Sequence, residues 1–245
     1  MRYPAFVEVK VDGEFQFIHL VAEDYGKSFC VNKYGNAKNG FPALNVLVDK
    51  FDRHTAVLLG ELYYKDGKAG QFYDMQANQD DTSGLQLAVF DCLMVDNVDL
   101  RGQSLLDRKE MINEIGLQLW TVPVCIAENR VDVDMMYSEN LVDGWEGIVV
   151  KPIDSTLVLG PCIWVKMKHK DQTDYIVSFI DPTKERIEVS VPIANTPRIV
   201  FVGVKAPNRY KRHIRIGDMV TIEHQGVLAS GSLRHPVLIA KKEWK

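Results

Sequence analysis

The stretch EVKVDG at residues 8–13 lies in a segment, residues 6–20, where apolar and polar side chains alternate. Alternation with a period of two predicts β-strands, and the Asp-Gly pair predicts a turn between them. Because side chains two positions apart share a strand face, Lys10 and Asp12 should point the same way. Gly13 permits a tight turn and a close approach of the backbone to a ligand. The stretch therefore predicts either a site that presents an amine or an ordinary surface hairpin.

Two lysine-containing motifs follow much later in the chain, EGIVVK at residues 146–151 and WVKMK at residues 164–168. Alternation places Lys166 and Lys168 on one face of a strand, where two ammonium groups beside apolar Val165 and Met167 suit a buried phosphate site. The alternative is an edge strand whose lysines protect it from aggregation. Taken with the first stretch, these motifs favour a nucleotide site over a surface hairpin.

The first two thirds of the chain are predicted to contain several strands and one clear helix. The helix spans about residues 105–118, with Ser104 as its N-cap and Gly116 near its end. Buried or half-buried strands are predicted at residues 56–64, 85–95, 147–151 and 163–167.

A polar stretch at residues 168–174 has no apolar periodicity and marks a domain boundary. We therefore predict one domain at residues 1–170 and a second at residues 171–245. Short strands separated by Gly, Pro and Asn predict a small barrel of the OB type in the second domain. These strands are expected at residues 175–180, 186–192, 198–204, 219–225 and 238–240.

Charge is distributed unevenly along the chain. The formal net charge is −4, but residues 164–245 carry 15 Lys and Arg against 8 Asp and Glu, whereas residues 1–163 carry 14 against 25. A basic C-terminal third predicts a surface for a polyanion, although it also fits an ordinary solvated face.

Other classes of protein are disfavoured by the sequence. The four cysteines are widely spaced and include no C-x-x-C pair, so we expect no zinc site. No apolar run approaches the roughly 18 residues of a membrane span, and no signal peptide precedes the first strand. We expect a cytoplasmic protein that is not exported and makes no membrane contact.

Five motifs in order and approximate spacing resemble those of the covalent nucleotidyltransferases, which include DNA ligases, RNA ligases and mRNA capping enzymes. They are KVDG at residues 10–13, GEL at 60–62, FD at 90–91, EGIVVK at 146–151 and WVKMK at 164–168. Residues 216–220 and 231–236 resemble the OB domain of ATP-dependent DNA ligases. The resemblance implies an α+β fold: a nucleotidyltransferase (adenylation) domain of antiparallel sheets with flanking helices, followed by a small all-β OB-fold domain.

The resemblance also implies a role for individual residues. Lys10 would form a lysyl-AMP phosphoramidate, and Glu8 would accept a hydrogen bond from the adenine amino group. Phe90 and Val149 would stack on the two faces of adenine. Lys166 and Lys168 would hold the α-phosphate and, by like-charge repulsion, help to keep the Lys10 amine unprotonated. The implied nucleotide-binding residues are Glu8, Lys10, Gly13, Glu61, Phe90, Glu146, Val149, Lys166 and Lys168, with Glu61 and Glu146 also nearest a Mg²⁺ or Mn²⁺ ion.

This sequence departs from the family pattern at three places. Phe15 stands where the family often has an arginine, so any phosphate or ribose contact from that position is lost. Lys33 replaces a second arginine and can meet a phosphate only as a point charge. The last motif, a basic run that orients pyrophosphate, is degenerate at residues 242–245, so we expect weaker self-adenylation from ATP.

The predicted function is that of a monomeric ATP-dependent DNA ligase that seals nicked double-stranded DNA. Only nine residues precede Lys10, which favours ATP over NAD because NAD-dependent relatives carry an earlier recognition domain. An RNA ligase and a non-catalytic OB-containing nucleic-acid binder are the alternatives, and Glu8 disfavours a capping guanylyltransferase. The residues predicted to contact DNA phosphates are Lys33, Lys205, Arg209, Lys211, Arg212, Arg215 and Arg234.

Overall fold

The computed structural model describes residues 1–51, 53–78, 83–157, 163–181, 186–190, 199–200, 213–228 and 230–242. The chain divides into two compact units, Met1–Lys168 and His169–Lys245. No helix in the described part of the chain is long and apolar enough to cross a membrane.

The first unit contains a four-stranded antiparallel sheet with the strand order β10-β9-β1-β8. Alternation along these strands separates an apolar face from a polar one. The apolar face packs Val7 and Val150 against Val133 of helix α4. The polar face carries Glu8, which lies opposite Val149 on β9. The bounds are β1 (Ala5–Val9), β8 (Val124–Ala127), α4 (Arg130–Val142), β9 (Gly147–Pro152) and β10 (Val165–Lys168).

A six-stranded antiparallel sheet with the order β4-β3-β2-β5-β6-β7 forms the rest of the first unit. Its buried face packs Leu58 and Leu87 against Leu44 and Leu47 of helix α1 and Ile112 of helix α3, which closes the largest core of the protein. The bounds are β2 (Gly13–Val21), β3 (Phe29–Asn32), β4 (Ala37–Lys38), α1 (Pro42–Lys50), β5 (Thr55–Tyr64), α2 (Gln71–Asn78), β6 (Leu85–Val95), β7 (Val98–Asp99) and α3 (Leu105–Glu114).

The strand, turn and strand predicted within residues 6–20 are confirmed for the two strands but not for a turn that pairs them. Strands β1 and β2 belong to different sheets, and residues 10–12 are the link between them, so Lys10 and Asp12 do not share a strand face. Gly13 does not serve a turn of positive φ. A Cβ at this position would lie 2.2 Å from the carbonyl oxygen of Leu62, so glycine is required because β2 packs closely on β5.

The predicted helix is confirmed but is shorter than expected. It begins at Leu105 after a capping box in which the Ser104 side chain accepts from the Asp107 amide. It ends at Glu114, because Gly116 adopts a φ of 79°. Helices α1, α2 and α4 were missed. In α4 the apolar periodicity is blurred, since Val131 and Val142 are exposed.

The second unit contains a five-stranded antiparallel sheet with the order β13-β12-β11-β14-β15. Its core packs Tyr175, Val177, Val220, Ile222 and Leu238. Parts of two predicted strands, residues 191–192, 198 and 201–204, lie outside the described residues. The bounds are β11 (Asp171–Asp181), β12 (Arg186–Ser190), β13 (Ile199–Val200), β14 (Met219–His224) and β15 (Val237–Lys241).

Candidate functional site

The link between the two sheets brings Lys10 against Glu146, far away in sequence. The Lys10 amide donates to the carbonyl oxygen of Gly147 at 2.8 Å, and its ammonium group forms an ion pair with Glu146. Lys168 binds the other oxygen of Glu146 at 2.7 Å. Gly147 allows β9 to approach β10 this closely, because a Cβ at position 147 would lie 2.0 Å from the carbonyl oxygen of Met167. The structure therefore unites three motifs around one carboxylate.

The Glu146 carboxylate is held in its charged form. Its side chain is only 3% exposed. Burial alone would raise the pKa of Glu146, but the ammonium groups of Lys10 and Lys168 outweigh burial and hold the pKa below its ordinary value. Lys10 and Lys168, which were predicted to meet at one phosphate, both bind Glu146, which lies between them.

Glu61 lies on β5 beside this ion pair and has an unusual electrostatic environment. Burial raises the pKa of Glu61 to about 7, and the charges of Glu146 and Asp12 add to that increase, whereas Lys10 and Lys166 oppose it. Lys166 is exposed, so the predicted phosphate lysines do not form a fully buried site.

Glu61 and Glu146 are the carboxylates of this site that would hold a divalent cation. A cation near Glu61 would stabilise its charged form, which burial otherwise disfavours, and Mg²⁺ prefers oxygen ligands. Within the described ranges, no three His, Cys, Asp or Glu side chains cluster as a metal site. Water or a phosphate would therefore supply the remaining ligands of such an ion.

We predict that Glu61 makes the metal-free protein less stable as the pH rises from 5.5 to 8. Its pKa is raised in the folded protein from an ordinary 4.5 to about 7, so its stabilising contribution is fully present below 4.5 and is lost as the pH rises through 7. Thermal unfolding in EDTA should show this loss in the wild-type protein and a smaller one in Glu61→Gln.

The comparison with Glu61→Gln removes the contributions of other titrating groups. Burial lowers the pKa of His169, so that residue stabilises the fold as the pH rises, but it does so equally in both proteins. Glu8 and Glu146 have lowered pKa values and stay charged across this range. Identical pH profiles for the two proteins would show that Glu61 has no raised pKa.

Glu8 lies at the centre of a buried cluster of charges. It is 2% exposed and forms ion pairs with Lys109 at 2.6 Å and with Lys151 at 2.5 Å. Burial opposes ionisation, but Lys151 and Lys109 outweigh it and lower the pKa of Glu8. Sequence reasoning gave no role to either lysine, although Lys151 ends the EGIVVK motif. Strand alternation could have placed Lys151 on the face of Val149.

Aromatic rings enclose the Lys151 side chain. Its ammonium nitrogen lies 4.6 Å from the ring centroid of Phe90 and 4.2 Å from that of Trp164, distances typical of cation–π contacts. Burial lowers the pKa of Lys151 although Glu8 opposes the change. The half-buried Phe90 and Val149, both predicted to bind adenine, thus lie beside the Glu8 cluster.

A fully buried ion pair anchors the strand that carries Phe90. Arg108 of α3 binds both oxygens of Asp91, at 2.7 and 2.9 Å, and both side chains are 0% exposed. Arg108 also donates to the carbonyl oxygens of Gln103 and Ser155. Because Asp91 adjoins Phe90, this pair fixes the position of the aromatic ring relative to α3.

The loop at residues 65–70 supports both halves of the Lys10–Glu146 pair. Asp12 accepts from the Gly70 amide at 2.7 Å, and its own amide donates to Gly67. The Lys68 ammonium lies 3.5 Å from the ring centroid of Trp145, the residue before Glu146. Sequence reasoning missed this loop, because its contacts join segments that are distant in the chain.

The predicted DNA-binding residues that the structure describes differ in their exposure to solvent. Lys33 and Arg215 are exposed, but Arg234 is only 6% exposed. A buried guanidinium cannot lie on a basic surface, so Arg234 is removed from that prediction. Of the degenerate motif, Lys242 pairs with Asp174. Lys205, Arg209, Lys211 and Arg212, together with residues 243–245, lie outside the described residues.

Comparison with known proteins identifies the family of this chain's first unit. The family model described as "ATP dependent DNA ligase domain" matches residues 1–168. A DNA ligase of Pyrobaculum calidifontis is 28% identical over 192 residues, which cover 72% of this chain and 32% of that protein. The chain therefore spans about a third of the length of the curated relatives that it matches.

Solved structures show the same fold over nearly the whole chain. A Lig E DNA ligase, described in a study of DNA binding with a minimal scaffold, has a TM-score of 0.72 at 18% identity and is matched over 98% of this chain and 93% of its own. A mycobacterial DNA ligase D complexed with ATP has a TM-score of 0.60 at 17% identity, over 99% and 90%. These matches show a nucleotidyltransferase-like ligase fold.

Proposed function

The chain belongs to the family of ATP-dependent DNA ligase domains, and from this premise we propose that it seals nicks in duplex DNA with ATP as the AMP donor. The observation that carries the proposal is the contact of Lys10 with Glu146, which Lys168 also binds. An amine, a carboxylate and a second cation at one point suit the transfer of a nucleotidyl group.

In the proposed first step, the Lys10 nitrogen attacks the α-phosphorus of ATP. A bond forms between nitrogen and phosphorus, the bond to the bridging oxygen breaks, and pyrophosphate leaves. An ammonium paired with a carboxylate has no free lone pair, so the contact with Glu146 must open and the Lys10 ammonium must release a proton to solvent before the attack. Lys168 would bind the α-phosphate and stabilise its growing negative charge.

Two further phosphoryl transfers complete the proposed reaction. The AMP passes from Lys10 to the 5′-phosphate at the nick, which restores the amine. The 3′-hydroxyl then attacks that activated phosphate, and AMP leaves. A Mg²⁺ or Mn²⁺ ion held by Glu61 and Glu146 would supply charge neutralisation at the phosphates. The protein's own contribution is to hold the amine, the carboxylates and the lysines in position.

The proposed base site is built around the Glu8 cluster. Glu8 would accept from the adenine amino group, and Phe90 and Val149 would contact the ring faces. Lys109 and Lys151 would hold Glu8 charged, since both bind its oxygens. An anionic acceptor is needed here because a protonated carboxyl group would offer adenine one acceptor fewer.

We further propose that the second unit is an OB-fold domain that binds the DNA backbone. The support is its five-stranded antiparallel sheet and the excess of basic over acidic residues at positions 164–245. The substrate would be nicked double-stranded DNA, bound by one copy of the chain through phosphate contacts.

Reversing the charge of Arg209, Lys211 and Arg212 together is predicted to weaken DNA binding at least about tenfold and to flatten its salt dependence. Fewer counterions are released when fewer phosphates are neutralised, so the slope of log K against log salt decreases by about 0.9 per lost contact. Binding to nicked duplex should be titrated at several salt concentrations. The same binding and slope as in the wild type would remove this basic segment from the proposal.

Labelled cofactors test the proposed function directly. The protein is incubated with radiolabelled ATP, GTP or NAD and Mg²⁺, and then with nicked DNA or nicked RNA. We expect covalent label from ATP alone and sealing of DNA. Sealing of RNA in preference to DNA would favour an RNA ligase. Label from GTP alone, or from none of the three, would contradict the proposal.

A further inference from the structure

One face of the six-stranded sheet carries an unexpected group of aromatic side chains. Phe15, Phe17 and His19 alternate along β2, so all three lie on the face opposite the buried Ile18 and Leu20. The Phe15 and Phe17 rings meet edge to face with their centroids 5.0 Å apart. Phe29 of β3 stacks on His19 with an interplanar angle of 27°. We call Phe15, Phe17, His19 and Phe29 the aromatic face.

The aromatic face is only partly covered. Phe17 is 41% exposed, although large apolar side chains on this sheet are mostly buried. Phe15, His19 and Phe29 are half-buried. An apolar surface of several contiguous aromatic side chains costs solubility and typically marks a binding site. Nothing in the packing of the described residues requires an exposed phenylalanine at position 17.

The aromatic face is continuous with the proposed nucleotide site. Phe15 pairs across the sheet with Glu61, and its ring centroid lies 6.1 Å from that of Phe90. The surface therefore begins at residues assigned to the nucleotide and metal and runs along β2 away from them. A ligand that extends beyond the bound nucleotide in this direction would meet Phe17 next.

We propose that the aromatic face is a stacking platform for the nucleobase and sugar of the 3′-terminal nucleotide at the nick. This inference rests on the proposed function, which requires a polynucleotide end beside the AMP. Aromatic side chains bind nucleobases of any sequence by stacking, because every base has a flat π face. Phe15, whose ring lies between those of Phe17 and Phe90, would extend this platform toward the bound nucleotide.

The position of Phe17 makes it the best residue to test. Its printed ring contact is with Phe15 and it lies two residues further along β2 from Glu61's partner, so Phe17→Ala should still accept AMP from ATP at the wild-type rate. Binding to a nicked duplex should weaken about tenfold. Phe17→Ala should also seal more slowly a nick that already carries AMP on its 5′-phosphate. That substrate requires no reaction with ATP, so slower sealing would reflect weaker DNA binding.

A direct reading of stacking comes from 2-aminopurine placed at the 3′-terminal nucleotide of the nick. We expect the wild-type protein to change the fluorescence of 2-aminopurine, Phe17→Ala and Phe17→Leu to reduce that change, and Phe17→Trp to retain it. The leucine variant keeps an apolar side chain, so it separates stacking from loss of packing. Tyr73→Ala removes an aromatic that is 49% exposed on α2 and is the matched control.

The outcomes separate this inference from the proposed function. Failure of the wild type both to accept AMP and to seal the adenylated nick would refute the proposed function itself. Normal wild-type activity together with unchanged binding, fluorescence and sealing in Phe17→Ala and Phe17→Leu would overturn only the stacking platform. A change of oligomeric state in these variants, with unchanged DNA binding, would also overturn it and identify a contact between protein copies.

Discussion

Lys10→Ala is expected to reduce transfer of AMP from ATP to the protein to background. Alanine has no amine, and Lys168, which also binds Glu146, extends from β10 and not from the link that carries Lys10. Sealing of nicks that carry an ordinary 5′-phosphate should be lost together with adenylation. The measurement is covalent radiolabel after incubation with labelled ATP and Mg²⁺, followed by sealing of a nicked duplex.

Lys10→Arg distinguishes the nucleophile from its ion pair. A guanidinium keeps the positive charge beside Glu146 but is never deprotonated near neutral pH, so it cannot attack. This variant should fold and bind DNA as the wild type does, yet accept no label. Lys27→Ala, which removes an exposed lysine that pairs with Asp24, is the control. Persistent labelling of Lys10→Ala would show that another residue is the nucleophile.

Arg108→Met is expected to lower the free energy of unfolding by about 3–5 kcal/mol, because it leaves the Asp91 carboxylate buried without a partner. Both residues are 0% exposed, and the pair has two hydrogen bonds of 2.7 and 2.9 Å. Chemical denaturation measures the loss. Asp91 follows Phe90 on β6, so losing its ion pair should also displace the Phe90 ring. The affinity for ATP should therefore fall in the molecules that remain folded.

A double variant tests the reason for that loss. Asp91→Leu combined with Arg108→Met removes both charges, so the unpaired carboxylate disappears and part of the stability should return. If the double variant is as unstable as the sum of the two single variants, the pair contributes through packing and its other hydrogen bonds. Those bonds join Arg108 to the Gln103 and Ser155 carbonyl oxygens.

Local pattern predicted the longer strands of the first unit but missed the short strands β3, β4, β7 and β8, and it did not show which strands pair. The period of two around Lys10 correctly indicated strands on both sides of it, yet it cannot show that β1 and β2 enter different sheets. That choice depends on pairing with β9 and β5, which are distant in sequence. Helix α4 escaped prediction because its exposed apolar residues Val131 and Val142 weaken the amphipathic pattern.

The candidate site was predictable where a motif resembled a family and unpredictable where tertiary contacts built it. The resemblance that the motifs carry implied that Lys10, Glu61 and Glu146 lie together, and in the structure Lys10 contacts Glu146 and both charges act on Glu61. Lys109 was missed because it lies on α3, outside every motif, and reaches Glu8 only after the helix docks on the sheet. Burial of Arg234 was equally hidden, because an arginine in a basic segment is most often exposed.

The link of residues 10–12 between the two sheets sets a strict length for the motif that contains it. Lys10 is fastened to the first sheet through Gly147, and Asp12 to the 65–70 loop through Gly67 and Gly70. Only Val11 separates the two anchors, and one residue spans at most about 3.6 Å. Inserting or deleting a single residue here would force one anchor to detach, so the register of this segment tolerates substitution far better than any change in length.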